Sequence, residues 1–169
     1  MAATTYPAIA AGQRITGTLL TSMLPQFILK TADESVTSST ALQNDDDFAF
    51  TVAASASYVL DAYLMINGAP TGTGDFKLDF TVPTSATMKY TSFGVTTSSA
   101  IQYEDTVNAN STARPVGTNG ATDMGVALRA FVITSSTAGT VQMRWAQNTS
   151  SGTATIVRAN SWMRLTRIA

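Results

Sequence analysis

The chain has no cysteine and no histidine, and charged residues make up only 12% of it. The lack of cysteine excludes disulfides, so the fold must stand on packing or on oligomerisation, and it leaves the redox compartment open. Together the two absences exclude Ser-His and Cys-His nucleophilic catalysis and zinc sites of the usual ligand set. Charge falls well below the roughly one quarter that is usual, and Ser, Thr, Ala and Gly take its place. Such a surface suits a β-rich protein buried in an assembly, and equally a secreted or thermally robust β-sandwich. No apolar run approaches the ~20 residues that span a bilayer. Met1-Ala2-Ala3-Thr4-Thr5-Tyr6-Pro7 lacks the basic start and apolar core of a signal peptide. The expectation is a soluble protein made in the cytoplasm, with no membrane partner.

What is present is enough apolar material for one ordinary domain: 169 residues, 44% of them hydrophobic. A net charge of −1 gives no general pull toward nucleic acid or anionic lipid. The charge is unevenly placed, however. Up to Ala113 there are four basic and ten acidic residues; from Arg114 onward there are six Arg and only Asp123, which together make the totals of 10 and 11. Arg is the cation suited to bidentate pairing with carboxylates. Late strands are therefore expected beside early ones, within the chain or across a subunit boundary.

Along the chain, Ile15, Leu19, Leu20, Met23 and Leu24 fall on one face of a short helix stopped by Pro25. Gly17 weakens it and no cap is evident. A helix this short is marginal alone, so its apolar face must dock on the body of the domain or on a neighbouring chain. After Pro25 the pattern is of strands. Gln26–Lys30 is a compact apolar run, and Phe48, Phe50 and Val52 alternate. Tyr58–Ile66 is nearly all apolar and reads as a central strand covered on both faces, closed by Asn67-Gly68. Phe76, Leu78, Phe80 and Val82 have one dry and one wet face up to Pro83, and Ala86, Met88 and Tyr90 continue the period of two. Residues 94–123 are weakly patterned, with Tyr103 and Val107 among polar residues. Met124, Val126, Leu128, Ala130 and Val132 restore the period. Thr140–Ala169 reads as strand, turn, strand and carries both tryptophans, Trp145 and Trp162. Nine or ten short strands with turns between them point to a sandwich or jelly roll.

Candidate chemistry is sparse. Asn44-Asp45-Asp46-Asp47 offers oxygen ligands for calcium, but it lacks the spaced ligands and glycine of a calcium loop and reads as a solvated acidic turn. Nothing brings Glu104-Asp105 near Asp75 or Asp79 as a glycosidase pair. Asn110-Ser111-Thr112 and Asn148-Thr149-Ser150 match the glycosylation sequon by chance, and Gly72-Thr73-Gly74 is a hairpin tip rather than a phosphate loop. Trp145, Trp162, Tyr63 and Tyr90 would make a sugar-stacking platform if exposed, but their strand spacing favours core. Arg144, Arg164 and Arg167 share the final strands with these aromatics. By parity Arg164 lies on the face of Trp162, and Arg167 on that of Met163 and Leu165. Part of that closing hairpin, Trp145, Trp162, Arg144, Arg164 and Arg167, is expected in the core or at a subunit interface.

Tyr6-Pro7-Ala8-Ile9-Ala10-Ala11-Gly12-Gln13-Arg14-Ile15-Thr16, continued by Leu19-Leu20-Thr21-Ser22-Met23-Leu24-Pro25, resembles the N-terminus of small virion proteins from tailed phages of actinobacteria. So do the stretch from Lys30 to Asp46, Arg144–Ser150 and Ser161-Trp162-Met163-Arg164. Such proteins are of the minor tail or head-decoration type, with bodies similar to the trimeric jelly rolls of the tumour-necrosis-factor and complement globular kind. The resemblance implies a homotrimer, no enzyme and no cofactor, and a place on the virion surface. The expected fold is all-β, an antiparallel β-sandwich of jelly-roll type: an arm and short helix over residues 1–25, then a single domain over 26–169. The expected function is capsid decoration, with Ile15, Leu19, Leu20, Met23 and Leu24 buried against the virion, where the partner is the major capsid protein, or against the base of the trimer. The alternative is a minor tail protein that contacts other tail proteins and binds a host-surface glycan.

Overall fold

A computed structural model of the chain describes residues 7, 9–70, 72–95, 97, 98, 100, 107–110 and 113–169. Its elements are α1 (Gly17–Ser22), β1 (Gln26–Leu29), β2 (Glu34–Val36), β3 (Gln43–Val52), β4 (Ser57–Asn67), β5 (Phe76–Thr81), β6 (Thr87–Phe93), β7 (Val107–Asn108), β8 (Arg114–Val116), β9 (Met124–Ile133), β10 (Gly139–Gln147), β11 (Thr155–Val157) and β12 (Trp162–Arg167). The expectations for Tyr103, Glu104, Asp105, Ser111 and Thr112 lie outside the described residues.

Two antiparallel sheets face each other. One runs β1-β12-β4-β9-β6-β7, with β11 bridging β2 to the end of β4; the other runs β3-β10-β5-β8. Without β2, β6, β7 and β11, eight strands remain, and they pair in a nested way. β1 lies on β12, β3 on β10, β4 on β9 and β5 on β8. First thus meets last, second meets seventh, third meets sixth and fourth meets fifth, with successive pairs in alternate sheets. A long hairpin rolled over on itself gives this order, which is the jelly roll.

Binary pattern explains which side chains fill it. In β4, Tyr58, Leu60, Ala62, Leu64 and Ile66 are buried on one face, while Val59, Asp61, Tyr63 and Met65 stay partly or fully exposed on the other. β4 is central, between β12 and β9, but it is covered on one face and not two as its apolar run suggested. From the second sheet, Phe76, Leu78 and Phe80 of β5 and Val141, Met143 and Trp145 of β10 complete a single core. Rings meet across it: Tyr90 of β6 stands edge-on to Phe80, with centroids 5.2 Å apart, and its hydroxyl donates to the Leu78 carbonyl at 3.2 Å.

Three expectations need correction. Thr140–Ala169 is not a hairpin, because β10 and β12 belong to opposite sheets and the chain between them crosses the sandwich. Trp145 is consequently fully buried, tilted against Phe76 at 5.7 Å, whereas Trp162 is half-buried on the outside. The acidic run from Asn44 to Asp47 is not a solvated turn but part of β3. Asp45 there is buried beneath Lys30, whose Nζ lies 3.0 Å from Oδ1. Finally, α1 does have a cap: Thr16 is extended, and its Oγ1 accepts from the Leu19 N–H at 3.2 Å.

Candidate interaction surfaces

The N-terminal arm presents the first surface. α1 spans six residues and buries none of them. Ile15 precedes it, and Ile15, Leu20, Met23 and Leu24 are exposed while Leu19 is half-buried. The domain body therefore leaves the apolar stripe largely uncovered. Between the helix and the end of the sandwich lies a cleft of about 410 Å³, lined by Ser22 and Leu24 on the arm side and by Thr51, Tyr58, Leu165 and Arg167 on the other. Arg167 donates from Nε to the Ala169 carbonyl at 3.0 Å. Gln26 ties the base of the arm to the body through Nε2, which donates to the Thr51 carbonyl at 2.8 Å.

The second surface is the outer face of the larger sheet, and strand register organises it into rows. Leu29 faces Trp162, Trp162 faces Tyr63, Tyr63 faces Ala127 and Ala127 faces Phe93. The adjacent row is Phe27, Arg164, Asp61, Arg129 and Thr91. The next is Thr166, Val59, Phe131 and Lys89, and beyond it Ser57 faces Ile133. Phe27 stacks on Trp162 with centroids 5.8 Å apart and planes 20° apart. Asp61, between two arginines, receives Arg164 Nη2 at 2.8 Å and Arg129 Nε at 3.2 Å. A shallow cleft of about 310 Å³ runs among Tyr63, Trp162, Phe93 and these charges. Tyr63 lies so flat across the sheet that a Cβ at Gly125 would stand 2.2 Å from its hydroxyl.

The late arginines meet early acids within the chain. Arg144 Nη2 lies 2.9 Å from Asp79 on the neighbouring strand. Arg158 bridges Asp33 at 2.7 Å and Asp123 at 2.9 Å. Asp33 sits below the usual carboxylate range because the Ala159 N–H and then Arg158 donate to it. Asp123 is lowered by the Asn67 amide and then by Arg158. Arg158 is raised in return by the same two acids. Of the aromatics considered for a sugar platform, Trp145 and Tyr90 are buried, and Tyr63 and Trp162 are neighbours on the outer face.

Two features went unread in the sequence. Lys30, one residue past β1, is fully buried among Glu34, Asp45 and Asp47, and no periodicity marks a buried lysine. Phe131 and Ile133 are exposed on the parity opposite to Ala130 and Val132. There the signal existed: both parities of β9 become apolar in its second half.

The fold thus defines an all-β, two-sheet jelly-roll sandwich with an uncovered arm. No family model matches the chain, and no curated protein matches it. Among solved structures it is similar to the tripod from the baseplate of bacteriophage Tuc2009, at 12% identity and a TM-score of 0.33, over 98% of this chain and 76% of that one. It is also similar to the VP2 subviral particle of infectious bursal disease virus, at 11% identity and a TM-score of 0.21, over 98% of this chain and 43% of that one. The Gx strain of that virus gives 9%, 0.21, 98% and 41% respectively. The chain spans less than half the length of these two infectious bursal disease virus chains. These likenesses leave function to the chain's own surfaces.

Proposed function

We propose that the chain is a non-enzymatic structural protein of a phage virion, a homotrimer that decorates the capsid surface and is anchored to it by residues 1–25. One observation carries the proposal: a capped helix that presents Leu20 to solvent, flanked by Ile15, Met23 and Leu24, and buries none of its residues. A six-residue helix in that state lacks the tertiary packing that usually stabilises helices. A partner that covers the stripe supplies it. Burying Ile15, Leu19, Leu20, Met23 and Leu24 contributes about 1.5–3 kcal/mol each before ordering costs. Three joined arms multiply the attachment through effective concentration. The partner of the stripe is the major capsid protein. The sequence resemblance at both ends of the chain supports the same class.

A second reading places the protein on the tail, where it contacts tail proteins and binds a host-surface glycan. It is favoured by Tyr63 and Trp162, cross-strand neighbours that flank a cleft also lined by Asp61 and Arg164.

Deleting residues 2–24 tests the anchor. The shortened chain is expected to fold and to lose binding to particles that lack the protein. If it still decorates them, the anchor assignment falls. Saturable adsorption of the purified full chain to host cells, lost on Trp162→Ala, would favour the tail reading instead.

A further inference from the structure

A lysine and a carboxylate that touch in a protein interior are normally an ion pair, and desolvation offsets much of its attraction. Lys30 and Asp45 are both buried, and their surroundings go further than pairing requires. Nζ lies 3.0 and 3.1 Å from the two Asp45 oxygens. Asp45 Oδ1 also accepts the N–H of Asp47 and the N–H of Phe48, each at 3.0 Å. Two backbone donors converging on one carboxylate oxygen stabilise the oxyanion that forms when the carbon beside it is attacked. Glu34 Oε2 stands 2.7 Å from the same Nζ. Its carboxylate is fixed in turn, Oε1 accepting from Gln43 Nε2 at 3.2 Å and Oε2 from the Asp46 N–H at 3.1 Å. A nucleophile, an acyl carbon with an oxyanion site and a proton acceptor therefore meet in one place.

We propose that Lys30 and Asp45 condense into an intramolecular isopeptide bond, with Glu34 as the catalytic residue that relays the protons. The ion pair is the state of the freshly folded chain. Burial lowers the Lys30 pKa, but hydrogen bonds to Glu34 and Asp45 leave it raised, so only proton transfer frees the amine. Glu34 takes one proton from Nζ and passes it to Asp45 Oδ2. The amine then attacks Cγ, and the negative charge that develops on Oδ1 meets the Asp47 and Phe48 N–H groups. A second proton travels from Nζ through Glu34 to Oδ2, the Cγ–Oδ2 bond breaks, and Oδ2 leaves as water. One ammonium and one carboxylate become one amide and one water, and Glu34 ends ionised as it began.

Two effects drive the step. Held contact replaces the encounter that makes such a condensation slow in water, and the amide removes two buried charges from the interior. Of the three carboxylates around Nζ, Asp45 is the most deeply buried and the one that accepts two backbone N–H groups. Lys30 directly follows β1, and Asp45 lies on β3 in the opposite sheet. The bond staples the two layers where the arm joins the body, a covalent tie that a chain without cysteine cannot obtain from a disulfide.

Intact-mass spectrometry of the full-length chain after prolonged incubation at neutral pH tests it. The wild type is expected one water lighter than its sequence. Trypsin should fail to cut after Lys30, leaving residues 15–77 as one peptide that carries the whole deficit. Lys30→Arg should stay at full mass. Glu34→Gln should also stay at full mass, with wild-type circular dichroism and a lower melting temperature than the reacted wild type. Two variants guard against one failing to fold. A wild-type chain that keeps its full mass and is cut after Lys30 overturns the proposal. A deficit that maps to another peptide, as ring closure at an aspartate would give, or that survives Lys30→Arg, overturns it as well. A folded Glu34→Gln chain that loses water at the wild-type rate overturns the catalytic part given to Glu34.

Discussion

Lys30 and Asp45 form a closed ion pair in the interior: Nζ lies 3.0 Å from one carboxylate oxygen and 3.1 Å from the other, and both residues are buried. Desolvating two charges is costly, and the pair persists because every group around it is engaged. Glu34 and Asp47 reach Nζ at 2.7 and 3.2 Å, the N–H groups of Asp47 and Phe48 donate to Asp45, and the Phe48 ring lies 5.4 Å from Nζ. Lys30→Ala leaves Asp45 buried without its cation and should cost about 3–5 kcal/mol. Replacing both, Lys30→Met with Asp45→Leu, should recover much of that. Urea denaturation midpoints decide it, and a Lys30→Ala loss below about 1 kcal/mol would show that water reaches the site.

The same lysine sets the alkaline limit. Burial acts to lower its pKa, but the hydrogen bonds to Glu34 and Asp45 outweigh burial and leave it raised. A raised lysine contributes stability that is complete below its ordinary value and is lost as pH climbs through the raised one. On the acid side the order reverses. Asp33 and Asp123 are lowered, so their contribution is present above the ordinary carboxylate range and is lost as pH falls through their depressed values. Both acids are about half exposed, so the effect is small. Arg158→Ala should flatten the acid limb of a stability-against-pH curve and leave the alkaline limb in place. An unchanged acid limb would remove Arg158 from the account.

Trp145→Ala empties a fully buried site packed against Phe76 and should cost about 3–5 kcal/mol. Trp162→Ala loses a stacked contact with Phe27 on the outside and should cost less than half of that in the isolated chain. Thermal melts of the two variants under conditions where the chain is monomeric make the comparison. Equal losses would place Trp162 deeper than it stands here.

Those two tryptophans also show how far the sequence could be read. The period of two identifies β3, β4, β5, β9 and β10 by their inward residues, and apolar alternation in the last thirty residues marks β10 and β12 but misses the short β11 between them. It says nothing about which sheet a strand joins. Here β10 and β12 belong to opposite sheets, so Trp145 and Trp162 part company. Parity still put Arg164 on the face of Trp162, and the uneven charge put late arginines near early acids, because β12 and β10 lie beside β4 and β5. The Lys30 network was illegible, since it depends on β3 passing over the end of β1. The outer apolar face was legible only in part. Tyr58–Ile66 looked apolar throughout, and the second covering it called for is one that the chain's own fold does not supply.

Gly125 offers a way to disturb that face without disturbing the core. It sits on β9 under the Tyr63 ring, and an added Cβ would meet the Tyr63 hydroxyl at 2.2 Å and the ring carbon Cζ at 2.8 Å. The obstructing atoms are the far end of a side chain on an open surface, so the ring can swing away. Gly125 has no positive φ, and alanine in a strand recovers about 0.5–1 kcal/mol of the backbone entropy that glycine costs. Gly125→Ala should therefore leave the melting temperature nearly unchanged while lifting Tyr63 out of the row it shares with Trp162 and Phe93. If copies of the chain meet through that row, dissociation of the trimer on dilution should begin at higher protein concentration than in the wild type. An unaltered dilution profile together with a shifted Tyr63 side-chain resonance would show that the ring moved and that no partner was touching it.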